Sequence, residues 1–164
     1  ASHLTATQDK FVEGEATIIE LSGVYKRYHA PMARTILLGK PDQLKIDTMN
    51  KTIEALQAGI NATKPGNTAN DVAQAFWKIL DKYGIEKKSR TGYSIGIGYP
   101  PDWGEHTLNI YKGDMTVLEP NVCFHMIAVM QFGEWGVEAS EAIRVTETGC
   151  ELFCNFPKEL HIKS

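Results

Sequence analysis

Two kinds of hydrophobic spacing divide this chain. Residues Ala16–Leu21 and Ala33–Leu38 are short apolar runs rich in β-branched side chains, and Ser22-Gly23 between them suits a turn, so both read as strands. From Pro41 the period lengthens. Met49, Ile53, Leu56 and Ile60 recur at helical spacing, with Pro41 near the helix start and Gly59 near its end. Lys64-Pro65-Gly66 then breaks the chain. Thr68 followed three residues later by Asp71 forms a capping-box-like start, and Val72, Phe76, Ile79, Leu80 and Tyr83 make the apolar face of a second helix that stops at Gly84.

After Lys87-Lys88 the pattern returns to strands. A glycine-rich stretch from Thr91 to Gly98 leads into a polar excursion from Tyr99 to His106, and Val122–Met130 is apolar almost throughout, as a buried strand should be. Val137–Thr146 and Cys150–Phe153 flank Glu147-Thr148-Gly149, a turn-forming triplet. Strands, two helices, then strands again predict an α+β class with a largely antiparallel sheet in one domain. One position breaks the pattern: Pro31 lies inside "YHAPMART", where a proline cannot donate to a ladder.

Charge and cysteine usage narrow the function. A net charge of −3 and a pI near 6.0 give no general attraction to nucleic acid or to an anionic membrane, which leaves small or cationic ligands. The three cysteines, Cys123, Cys150 and Cys154, include no CxxC pair, so they read as buried thiols of a cytoplasmic protein rather than a disulfide framework or zinc site. No apolar run is long enough to span a bilayer, and the first residues carry no basic-then-apolar signal.

Five stretches in order, "HLTATQDKFVEGE", "YHAPMARTILLG", "GYSIGIG", "VLEPNVCF" and "SEAIRVTETGCELF", carry a resemblance over nearly the whole chain. The sequence resembles the pita-bread family of creatinases, proline-specific aminopeptidases and methionine aminopeptidases. "GYSIGIGYPPDWGEHTLNI" and "SEAIRVTETG" look most like its ectoine hydrolase branch. The resemblance implies a pita-bread fold, a curved and mostly antiparallel sheet with helices packed on one face. It also implies that residues 1–164 are the later part of the catalytic domain, with a small N-terminal domain and the start of the catalytic domain lying elsewhere, and that the protein forms a homodimer.

In the metal-dependent branch of that family, two aspartates, a histidine and two glutamates hold a pair of divalent ions, because hard oxygen ligands at that density suit such metals. This chain departs from the set. Glu20 stands at the first aspartate, Pro31 at the second, Tyr93 at the histidine, Ile127 at the first glutamate and Ser140 at the second, with Glu141 one step away. Proline and isoleucine side chains offer no donor, so the resemblance implies an enzyme with no metal and no other cofactor.

Creatinase is the family precedent for hydrolysing a carbon–nitrogen bond without metal, and its catalytic histidine is matched here by His3. An imidazole can take a proton from water and return it to a leaving nitrogen; without the resemblance, a histidine so near a chain end reads as frayed. Glu20, in the apolar run "ATIIELSG", either ends a strand facing water or sits in a pocket opposite a cation. Pocketed, it binds a cationic substrate, acts as base or attacks as a nucleophile. Trp103, Glu105 and His106 form either a cation-binding aromatic and acidic group or a solvated loop. Tyr93 either donates a hydrogen bond to substrate or is a satisfied core tyrosine. Glu141 joins them as a substrate-binding candidate. Arg34 reads first as a structural partner, His125 as a satisfied core histidine, and His29 as solvent-facing.

The expected activity is opening of a cyclic amidine, with a small cationic or zwitterionic substrate. Two rivals stand beside it: a metal-dependent Xaa-Pro dipeptidase, and a pita-bread module that binds peptides without catalysis.

Overall fold

The computed structural model describes residues 8–99 and 102–164. Strands β1 (Ala16–Tyr25) and β2 (Tyr28–Leu38) are followed by helices α1 (Gln43–Ala62) and α2 (Ala69–Lys82). Strands β3 (Gly92–Tyr99), β4 (Asp102–Ile110), β5 (Cys123–Phe132), β6 (Trp135–Val145), β7 (Cys150–Leu152) and β8 (His161–Lys163) complete the described elements. They join one eight-stranded sheet in the order β1-β2-β3-β5-β6-β7, with β4 on β3 and β8 on β2. All pairings are antiparallel except β2 with β8.

Alternation along β5 and β6 decides which face meets the helices. Phe124, Met126, Ala128 and Met130, with Val137, Ala139, Ile143 and Val145, pack against Met49, Leu56 and Ile60 of α1 and Val72, Phe76 and Leu80 of α2. Each such Leu, Ile, Val, Met or Phe contributes about 1.5–3 kcal/mol on burial. Odd-numbered positions of β5, including Cys123 and Ile127, instead join Tyr93, Ile95, Ala142, Ala30 and Trp103 on the far side. That second face carries the chemistry.

The capping box forms as expected: the Thr68 hydroxyl accepts from the Asp71 N–H, and Asp71 reaches back to the Thr68 N–H. Elsewhere the local signals act differently. The first hairpin turns at Lys26 and Arg27, at φ 47° and 69°, not at Ser22-Gly23, which lie within β1. A two-residue turn with both φ positive matches strand twist, and Val24, Tyr25 and Tyr28 are good strand formers on either side. Helix α1 starts from Asp42 as N-cap, with Pro41 one residue outside, and runs past Gly59 to Ala62. Gly59 is a packing glycine: a Cβ there would stand 2.7 Å from Met126 Sδ. The polar excursion is a strand, β4, whose Leu108 and Ile110 enter the core. The three cysteines are free but only half-buried.

The hairpin also explains Pro31. Tyr25 and Tyr28 close the turn as a hydrogen-bonded pair, so alternation makes Ser22↔Pro31 a non-hydrogen-bonded pair and points the proline nitrogen away from β1. On that other side β2 meets β3 only at Tyr28↔Ile97. Among the described residues no ladder bond is lost at Pro31.

Candidate active site

A hydrogen-bond chain crosses four strands on the face away from the helices. The Trp103 indole N–H donates to the Tyr93 hydroxyl at 2.8 Å. That hydroxyl lies 3.1 Å from His125 Nδ1, and His125 Nε2 lies 2.7 Å from Ser140 Oγ. An indole only donates, so the Tyr93 oxygen is its acceptor, and the His125 ring joins that hydroxyl to the Ser140 hydroxyl. The register Tyr93↔His125 and His125↔Ala142 builds this arrangement. Close approach of β3 and β5 needs Gly92, where a Cβ would meet the His125 carbonyl oxygen at 2.7 Å. Burial pushes the Tyr93 hydroxyl up to about 12, against the donated bond from Trp103, so it stays protonated. His125 is fully buried and satisfied, as expected for a core histidine, yet it links two site positions.

Glu20 is half-buried on β1 opposite Ala33. Its charge is felt by Tyr93 and by Glu138, a carboxyl on β6 that is 6% exposed. Burial first, and then Glu20, push Glu138 from the usual 4.5 to about 7, while Lys87 pulls the other way. Burial lowers Lys87 to about 8 against the attraction of Glu138.

Arg34 and Glu141 form a separate buried pair at 2.5 Å, with side-chain exposures of 4% and 0%. The guanidinium also donates to the carbonyls of Ala33, Ser140, Phe156 and Pro157. Arg34 is therefore structural, as expected. Glu141 is not brought to the Tyr93–His125 group: alternation puts it on the Ala139 and Ile143 side of β6, and Ser140 holds the inward position.

Of the other candidates, Trp103 joins the site through its indole. Glu105 is exposed, accepts from the Ile97 N–H at 3.2 Å and lines a cavity of about 1020 Å³ with His29, Ser94, Thr107 and Cys123. His106 lies apart. The β3–β4 register shifts between Tyr93↔Asn109 and Ile95↔Gly104, and His106, at φ 58°, falls in that irregularity with its ring exposed beside Asp102 at 3.2 Å. The Gly104 N–H first, and then His106, hold the Asp102 carboxyl below its ordinary range. His29 is buried at 5% exposure rather than solvent-facing, with neither ring nitrogen hydrogen-bonded among the described residues. His3 lies outside the described residues.

A model of metallopeptidase family M24 matches residues 1–147. The chain belongs to this family. It is 44% identical over 164 residues to the ectoine hydrolase of Halomonas elongata, covering 99% of this chain and 41% of that protein. Dipeptidase PepE from Mycobacterium ulcerans superposes with a TM-score of 0.90 at 25% identity, over 98% of this chain and 43% of that one. A dipeptidase from Pyrococcus horikoshii gives a TM-score of 0.90 at 21% identity, covering 99% and 45%, and bears on the fold alone. The architecture is the pita-bread fold, and the chain spans about two fifths of the length of the relatives it matches.

The positions that the resemblance matches to the family's metal ligands do not supply a two-metal donor set. Pro31 and Ile127 offer no donor atom, and the hydroxyls of Tyr93 and Ser140 both contact His125. Among the described residues no group of three or more His, Cys, Asp or Glu side chains converges on a metal site. Glu138 does not stand out in the sequence, because "GVEASEA" alternates like any strand with one polar face. Only the packing of β6 across β2 brings it near Glu20.

Proposed function

We propose that the full-length protein is a carbon–nitrogen hydrolase that opens the cyclic amidine of ectoine to an N-acetyl-diaminobutyrate without a metal ion. The observation that carries this reading is the Tyr93–His125–Ser140 chain, which links two of the family's ligand positions through an imidazole. The Halomonas elongata ectoine hydrolase, similar over nearly the whole chain, supports the substrate.

An amidinium carbon is already electron-poor, so water can add to it without a Lewis acid. Glu20 faces the cationic ring, holds it by charge and takes the proton of the attacking water. Trp103 offers an aromatic surface to the delocalised cation. Tyr93 shapes the floor, its hydroxyl held by His125 and Trp103. His3 returns a proton to the leaving nitrogen. The protein acts in the cytoplasm as a homodimer, and the rest of the catalytic domain closes the pocket. Incubating the full-length protein with ectoine and following the ring protons by NMR tests this: the parent opens the ring and Glu20→Gln does not. An intact ring with the parent would reject the reading.

The family itself favours a second reading, a metal-dependent dipeptidase like the PepE enzymes it resembles. That reading needs ligands at Pro31 and Ile127. Stoichiometric manganese or zinc in the purified protein would support it.

A further inference from the structure

Glu138 has no task in the reading above, yet the sheet brings it to the same place as Glu20. The Thr35 hydroxyl donates to the Glu138 carbonyl at 2.9 Å and accepts from the Glu138 N–H at 2.7 Å, so β6 lies across the Thr35 side of β2. Ala33 shares that side by alternation, and Ala33 is the register partner of Glu20. The Glu138 backbone therefore meets β2 at the same-side residue next to the one paired with Glu20, about 7 Å further along the strand. Along β6, Glu138 shares its side with Ser140, the end of the Tyr93–His125 chain.

The surroundings of Glu138 are unusual for a structural carboxylate. It is 6% exposed, and no described residue hydrogen-bonds its carboxyl. Among the described residues, the groups within electrostatic reach are Glu20 from β1, Lys87 from the segment before β3 and Tyr93 from β3. Arg34 of β2 is committed to Glu141, and His125 of β5 to Tyr93 and Ser140. A buried carboxyl beside an ionised one keeps its proton, and two carboxyls held in different states divide acid and base roles between them. Burial and the charge of Glu20 keep Glu138 protonated to about pH 7.

We propose that Glu138 is the proton-donating carboxyl of the site, paired with Glu20, and delivers its proton to the nitrogen that leaves the amidine carbon. This rests on the hydrolase reading above and replaces His3 in that step. Water oxygen bonds to the amidinium carbon as Glu20 takes one water proton, giving a neutral tetrahedral adduct. Glu138 protonates the ring nitrogen, the carbon–nitrogen bond breaks with its electron pair going to nitrogen, and the carbon is left as an O-protonated amide. The amide hydroxyl proton returns to Glu138, and the proton on Glu20 passes to the released amine. Both carboxyls end as they began, and Lys87 balances the charge on Glu138 while its proton is away.

The test uses the full-length protein, its Glu138→Gln and Glu138→Asp variants, and two substrates. One is ectoine; the other is an N-aryl acetamidine, whose arylamine leaves with little need of a proton. Glu138→Gln should lower kcat on ectoine about 10²–10⁴-fold with little change in KM, lose far less on the aryl amidine, and lack the alkaline limb of the parent's pH profile. Glu138→Asp should recover part of kcat. Equal losses on both substrates, or a change in KM alone, would overturn the assignment. If the parent opens neither amidine, the hydrolase reading fails, and infrared titration of the Glu138 carboxyl still decides the pair. A carboxyl titrating near pH 7 that drops in Glu20→Gln sustains it; an ordinary carboxylate in both proteins overturns it.

Discussion

The Tyr93 hydroxyl stands 3.1 Å from His125 Nδ1 while also accepting from the Trp103 indole, so its bonding is spent inside the protein. Tyr93 is part of a cross-strand brace. Tyr93→Phe keeps the ring and removes both bonds, and should cost about 1–3 kcal/mol in urea unfolding, since each neutral bond is worth about 0.5–1.5 kcal/mol.

Arg34 and Glu141 make a second, independent brace between β2 and β6. Glu141 is fully buried and its Oε2 has no hydrogen-bond partner among the described residues, so its charge depends on the guanidinium at Oε1, with Lys158 at 3.6 Å. Arg34→Ala should destabilise the fold by about 3–5 kcal/mol, the cost of stranding a buried charge, whereas replacing both partners by Met and Leu should cost much less. Thermal unfolding of the single and double variants checks this.

Glu138 gives stability a specific pH dependence. Its proton leaves near pH 7 in the folded protein and near the ordinary 4.5 in the unfolded chain. Between those values the folded state holds the extra proton, so stability falls as pH rises through the window. Glu138→Gln removes this loss. The difference in stability between variant and parent should be constant below pH 4.5, move in favour of the variant from 4.5 to 7, and be constant again above 7. Denaturation across that range measures it.

Gly92 sets the spacing of β3 and β5 beneath the site. A Cβ at this position meets the His125 carbonyl oxygen at 2.7 Å and Ile110 Cγ1 at 2.9 Å, and a backbone oxygen in a ladder cannot swing aside. Gly92→Ala should cost about 1–3 kcal/mol and reduce turnover by displacing His125, while Gly133→Ala, in the open β5–β6 turn at φ 61°, should affect stability without changing turnover per folded molecule.

Sequence pattern carried the helices and the strand faces well, because Thr68 with Asp71 and the alternation of Phe124, Met126, Ala128 and Met130 are local signals of burial and capping. It misplaced the first turn. Ser22-Gly23 is a common turn pair, but Lys26 and Arg27 adopt the left-handed conformation because strand pairing continues on both sides of them. Strand β4 was hidden in polar residues whose alternation is interrupted near His106. Among site residues, Tyr93 and Trp103 came together through a hairpin whose ends are close in sequence. Glu138 and Glu20 lie on strands far apart along the chain, and no single-sequence period reports that contact. His106 and Glu141 carried suitable chemistry, but a register irregularity and the parity of a strand direct them elsewhere.

We propose that the positions matched to the family's metal ligands form a hydrogen-bonded support for metal-free chemistry on an amidine. The direct measurement is the rate of ectoine ring opening by the full-length protein after exhaustive chelation, with residual metal quantified, and again after adding manganese or zinc. The expected rate is the same before and after, with metal far below one ion per chain. A rate that vanishes on chelation and returns with one or two bound ions would contradict it.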